Sequence, residues 1–144
     1  MNAQTAPPAA PRRSFRERID GLMDHVIAQL DMGTTARHEQ QYMKTGNLLG
    51  AAGKILDALQ ADTEATVIQG TKAVFMMEAG VWDQTQTLQR IAADQGVTCK
   101  IELKGSHTAV DLTGADRTTV VRFVNEVINQ AVKELKDTGT YESA

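Results

Sequence analysis

Residues 97–112 read VTCKIELKGSHTAVDL, and this stretch decides the fold class. Val97, Cys99, Ile101 and Leu103 alternate with Thr98, Lys100 and Glu102, the period-two pattern of a strand with one buried face. Lys104-Gly105-Ser106 supplies a turn, and Thr108, Val110 and Leu112 resume the alternation. An antiparallel hairpin is expected here.

Toward the C-terminus, Asp116 stands where it can cap a helix. Val121, Val124, Ile128, Ala131 and Leu135 follow at three-four spacing, with Val120, Phe123 and Val127 beside them. That apolar face is wide enough to suggest a second surface beyond one neighbour. Gly139 is the expected stop, and residues 140–144 are expected to fray.

Upstream of the hairpin, Asp83 is the expected cap of a helix carrying Leu88, Ile91 and Ala92 and ending at Gly96. Before it lie two β-prone runs, 66–68 and 73–77, around Gly70-Thr71. A second hairpin is the preferred reading, and a buried helix is the alternative. The first helix opens on Ser14 and Glu17, in capping-box spacing, and carries Phe15, Ile19, Leu22, Met23, Val26, Ile27 and Leu30 before Gly33. Thr34 or Thr35 can cap a second helix with the stripe Leu48, Leu49, Ala52, Ile55, Leu56 and Leu59. Gly46, Gly50 and Gly53 fall inside it. They either let another backbone approach closely or mark a break near Gly46-Asn47.

These elements give an α+β fold: an N-terminal αα-hairpin followed by a small antiparallel sheet with helices packed on one face, in the order α-α-β-β-α-β-β-α. One domain, 14–139, is expected between an arm, 1–13, and a tail, 140–144. The arm reads MNAQTAPPAAPRR and holds all three prolines of the chain, with nothing periodic to bury. It is expected to be disordered.

Composition narrows the function classes. At 144 residues, 42% apolar and only 4% aromatic, the chain can bury one core built mainly from aliphatic side chains. Its net charge of −3 lacks the basic excess usual for nucleic-acid binding. The lone cysteine, Cys99, can form no internal disulfide. No stretch is long enough to span a bilayer and no signal-peptide core is present, so a cytoplasmic protein without membrane association is expected.

Several stretches approach catalytic or metal motifs and fall short of their chemistry. His38-Glu39-Gln40-Gln41-Tyr42 starts like a zinc-protease helix but has Tyr where the second histidine ligand belongs. The other histidines, His25 and His107, lie on separate elements, so no metal site is expected. Gly53-Lys54 lacks both the leading glycine and the hydroxyl of a phosphate-binding P-loop. Ser106, His107 and Asp111 have triad residue types, yet neighbours along a strand face opposite ways. Cys99 sits in the inward-facing set, where a thiol acts as a small hydrophobe. No catalytic residue and no cofactor are expected, and the chain reads as a non-enzyme.

Two features point toward nucleic acid. In Leu48-Leu49-Gly50-Ala51-Ala52-Gly53-Lys54-Ile55 the G-x-x-G and its apolar flanks resemble the loop of KH domains. The resemblance implies a backbone clamp at Gly50, Gly53 and Lys54. Close helix packing is the competing and preferred account of these glycines, and residues 38–44 do not read as the strand a KH domain places before its first helix. Arg12, Arg13, Arg16 and Arg18 form the second feature, able to grip phosphate or an acidic protein partner. Pairing with Glu17, Asp20 and Asp24 is the plainer alternative.

The leading expectation is therefore a non-catalytic cytosolic binding or adaptor protein that acts on a protein partner through helix faces and self-associates. A nucleic-acid-binding domain using Arg12–Arg18 and Gly50–Gly53 is the alternative.

Overall fold

A computed structural model describes residues 14–61 and 74–141. Helix α1 spans Phe15–Asp31 and α2 spans Ala36–Ala61. Strand β1, Val74–Glu78, leads into a 3-10 turn, Ala79–Gln84, and then α3, Thr85–Asp94. The hairpin follows as β2, Lys100–Lys104, and β3, His107–Asp111, before α4, Arg117–Asp137. The fold is α+β: an αα-hairpin and a small antiparallel sheet. The expected arm 1–13, the run 66–68 and residues 142–144 lie outside the described residues.

Local chemistry sets the element ends. The capping box at α1 is formed: Glu17 N–H donates to Ser14 Oγ at 3.1 Å, and Ser14 N–H to Glu17 Oε1 at 3.3 Å. Thr35, not Thr34, caps α2 by accepting from His38 N–H. Asp116 caps α4, accepting from Thr119 N–H at 2.7 Å. Asp83 does not cap α3. It sits inside the 3-10 turn, and α3 starts after Gln84 without a side-chain cap.

The sheet order is β1-β3-β2, antiparallel throughout. Lys104 pairs with His107, leaving the two-residue turn Gly105-Ser106. Gly105 takes a φ of +62°, which tight hairpin turns require at their centre. On one face Phe75, Met77, Ile101, Thr108 and Val110 are buried in the common core. The other face holds Val74, Met76, Lys100, Glu102 and Lys104, all exposed. Ala109 shares that face yet is buried, flanked in register by Met76 and Glu102. Leu103 breaks the expected alternation at 52% exposure. It lies on an edge strand beside the hairpin turn, at the rim of the core.

Helix α2 is the spine of the molecule, packing on α1, α4, β1 and the 3-10 turn. That central position explains why Tyr42, Leu48, Leu49, Ala52 and Ile55 are wholly buried. The wide face of α4 is consumed within the chain: Val120, Phe123, Val124, Val127, Ile128, Ala131 and Leu135 are all buried. The second surface anticipated from that stripe is therefore not outside the monomer.

Two residues of the segment expected to fray, Thr140 and Tyr141, make side-chain contacts with the body. Thr140 Oγ1 lies 2.6 Å from the buried Tyr42 hydroxyl and 3.2 Å from His25 Nε2. Tyr141 stacks edge-on against His25, with ring centroids 5.1 Å apart. Residues 140 and 141 are thus fastened to α1 and α2.

Candidate functional site

Among the described residues, those singled out from sequence do not assemble into one site. Arg16 pairs with Asp57 on α2. Arg18 donates to Asn125 Oδ1 at 3.1 Å and to Asn129 Oδ1 at 3.0 Å, tying α1 to α4. Neither uses the neighbouring acids Glu17, Asp20 or Asp24. Arg12 and Arg13 lie outside the described residues.

Gly50 and Gly53 stand inside one continuous helix, so no G-x-x-G loop exists to clamp a nucleic-acid backbone. This corrects the KH resemblance. The helix has no break at Gly46 either. A methyl group on Gly46 would lie 3.6 Å from Val26, and one on Gly53 3.7 Å from Arg16. These are ordinary contacts, so close helix approach does not require the glycines. Lys54 is exposed on the same helix.

Ser106, His107 and Asp111 do not form a triad. Ser106 Oγ is 3.2 Å from His107 Nδ1, but Asp111 lies four strand residues further on, about 13 Å away. Its carboxylate instead accepts from the backbone N–H of Thr113 at 2.8 Å and from the Thr113 hydroxyl. Those two bonds hold its pKa below the ordinary aspartate value, with smaller help from Lys100 and Lys104. Burial pushes the Cys99 thiol up to about 11, and the charge of Asp111 adds to it. Among the described residues, no three or more His, Cys, Asp or Glu side chains gather as a metal-binding group.

What the fold does assemble is a groove between the first half of α2 and the 3-10 turn. It has a volume of about 280 Å³ and is lined by Ala36, Glu39, Gln40, Met43, Lys44, Asn47 and Asp83. The six α2 positions recur at three-four spacing, so they form one helix face. Met43 is 57% exposed, and Trp82, next to Asp83, is 42% exposed. Trp82 is the only tryptophan in the chain. At one end the turn lies so close to α2 that a methyl group on Gly80 would come within 2.9 Å of the Asn47 amide.

The groove is braced from behind by a polar cluster. Gln84, 5% exposed, donates through Nε2 to the Lys44 carbonyl at 2.9 Å and to Glu134 Oε1 at 3.2 Å. The same carboxylate oxygen accepts from the fully buried Thr45 hydroxyl at 2.8 Å and from Gln41 Nε2 at 3.1 Å. Gln130 Nε2 donates to the other oxygen at 3.0 Å. One carboxylate on α4 thereby locks α2 and the turn in place through neutral donors. Buried polar groups so satisfied fix a unique arrangement of elements.

A second cleft of about 280 Å³ lies between α3 and α4, lined by Arg90, Asp94, Glu126, Asn129, Gln130 and Lys133 among others. Its side chains already engage one another. Arg90 bonds Gln130 at 3.0 Å and faces Asp94 at 3.7 Å, and Asn129 donates to Glu126.

Sequence reasoning missed Glu39, Met43, Asn47, Trp82 and Asp83. Met43 offered one signal, being a large apolar side chain out of phase with the buried stripe that begins at Leu48. Trp82 offered another, lying between a strand and a helix beside Gly80. No family model, no curated protein and no solved structure matches the chain. No helix among the described residues is long and apolar enough to cross a membrane.

Proposed function

We propose that this chain is a non-catalytic binding protein that associates with itself through the groove between α2 and the 3-10 turn. The observation supporting the reading is an exposed Met43 within a braced, concave surface, with an exposed Trp82 in the turn next to the lining residue Asp83. Methionine and aromatic side chains are enriched at protein interfaces, and a few such anchors carry most of the affinity. A rigid platform favours such binding because little ordering entropy is lost. A cytoplasmic setting belongs to the same reading and draws support from the unpaired, buried Cys99.

Nucleic-acid binding ranks below it. Arg16 and Arg18 spend their guanidinium groups on Asp57, Asn125 and Asn129.

The test is sedimentation equilibrium of the full chain from micromolar to near-millimolar concentration, beside the double substitution Met43→Ser, Trp82→Ser. The expected result is reversible self-association in the wild type that the double substitution weakens at least tenfold. A wild type that stays monomeric throughout, or one whose association ignores both substitutions, ends the reading.

A further inference from the structure

We propose that the occupant of the groove is the proline-arginine arm of a second copy of this chain, exchanged reciprocally across a two-fold axis. The inference rests on the self-association reading above and names the segment that does the binding.

The arm ends in Pro8-Ala9-Ala10-Pro11-Arg12-Arg13 immediately before the Ser14 cap. Two prolines three apart fix two backbone angles in advance and bias the chain toward the extended polyproline conformation, which lowers the entropy lost on docking. Segments of this kind bind grooves that offer aromatic side chains. The groove supplies Met43, with Trp82 in the adjoining turn, for the prolines. It supplies Glu39 and Asp83 for the two arginines, against one lining cation, Lys44.

Charge is divided the same way across the whole molecule. The arm holds two arginines and no acidic residue, while the rest of the chain holds 13 basic and 18 acidic side chains. A basic arm facing an acidic body is attracted at long range and docks in one orientation.

Geometry assigns the arm to a partner copy rather than to its own body. Helices α1 and α2 run antiparallel, with Gly46 of α2 facing Val26 and Gly53 facing Arg16. The arm therefore leaves the body near Asp57, which Arg16 contacts. Glu39 lies eighteen residues away along the same helix, about 27 Å. From Ser14, Arg12 reaches roughly 14 Å even with backbone and side chain extended. Neither arginine can therefore reach Glu39 of its own chain. Mutual exchange is a closed, isologous dimer and leaves no open surface to propagate.

Sedimentation equilibrium on the full chain tests the proposal with two charge reversals, Arg12→Glu with Arg13→Glu and Glu39→Lys with Asp83→Lys, alone and combined. Circular dichroism checks that each variant is folded. Each reversal alone is expected to weaken the dimer at least tenfold, and the fourfold combination to recover most of the loss. Pro8→Ala with Pro11→Ala is expected to weaken it also, which keeps the test open should the groove variant fail to fold. A dimer that tolerates the arm reversal, or a combination without recovery, overturns the exchange. If association still depends on Met43 and Trp82 in that case, only the arm assignment falls and the groove reading survives. A monomeric wild type removes both.

Discussion

Gln84 and Glu134 meet side chain to side chain at 3.2 Å, joining the 3-10 turn to the last helix. Through Gln84 the same contact reaches the Lys44 carbonyl on α2, so three elements share one carboxylate. The arrangement is fully paired without any lysine or arginine, which makes its acceptor hard to replace.

Glu134→Ala is expected to destabilise the fold by about 1–3 kcal/mol, because it strands the buried Thr45 hydroxyl without its acceptor and leaves the Gln84 amide with the Lys44 carbonyl alone. Glu134→Gln keeps an acceptor oxygen and should cost less. Urea titration of both variants checks the order, and equal losses would show that the oxygen at this position does not matter.

Ile128 is wholly buried in α4. Ile128→Ala is expected to cost about 2–5 kcal/mol, by lost transfer energy and a residual cavity. That loss should be the same at every protein concentration, since the α4 face is spent inside one chain. A loss that grows on dilution would place this face at an interface instead.

Gly50 lies inside α2, with nothing within 4 Å of the position a methyl group would take. Gly50→Ala is expected to stabilise the fold by about 0.5–1 kcal/mol through helix propensity alone. Thermal unfolding followed by far-ultraviolet circular dichroism should show a raised midpoint. A lowered midpoint would contradict a continuous helix at this point.

Cys99 is 7% exposed, and burial raises its thiol pKa from 9.0 to about 11. A group whose folded pKa lies above its unfolded one stabilises the fold fully below the unfolded value. That contribution is lost as pH rises from 9.0 toward about 11. Cys99→Ala should therefore show a flatter decline of stability over this window. Alkylation of wild-type Cys99 by iodoacetamide at neutral pH is expected only after denaturation, and ready labelling of the folded chain would refute its burial.

The cap at α4 responds in the opposite sense. Hydrogen bonds from the Thr119 hydroxyl and backbone N–H hold the Asp116 carboxyl below its ordinary 3.8. A depressed carboxylate stabilises the fold above the unfolded pKa and ceases to do so as pH falls through the folded one. Acid titration of stability should be shallower in Asp116→Asn than in the wild type. Parallel curves would mean that the cap carries no charge-dependent part.

Much of the fold was legible in the residues. Ser14 with Glu17, Asp116, and the glycines at 33, 96 and 139 marked helix ends through short-range chemistry that needs no tertiary partner. The alternation from Cys99 to Ile101 and from Thr108 to Val110 marked the hairpin for the same reason. Asp83 misled because a 3-10 turn intervenes before α3, and such a turn has no clear pattern of its own. Gly50-Ala51-Ala52-Gly53 kept a loop open beside the preferred helix, because four residues of small side chains fit either.

Local sequence determined which stretches are helix and strand, since capping, turn geometry and hydrophobic period act within a few residues. Which apolar faces are spent inside the chain and which stay open was settled only in three dimensions. Burial depends on neighbours far away along the chain, as when Glu134 reaches Thr45 and Gln84, or when α2 turns Met43 outward beside Asp83. The groove keeps its shape because those long-range contacts tie its two walls in place, and no pattern within either wall encodes that spacing.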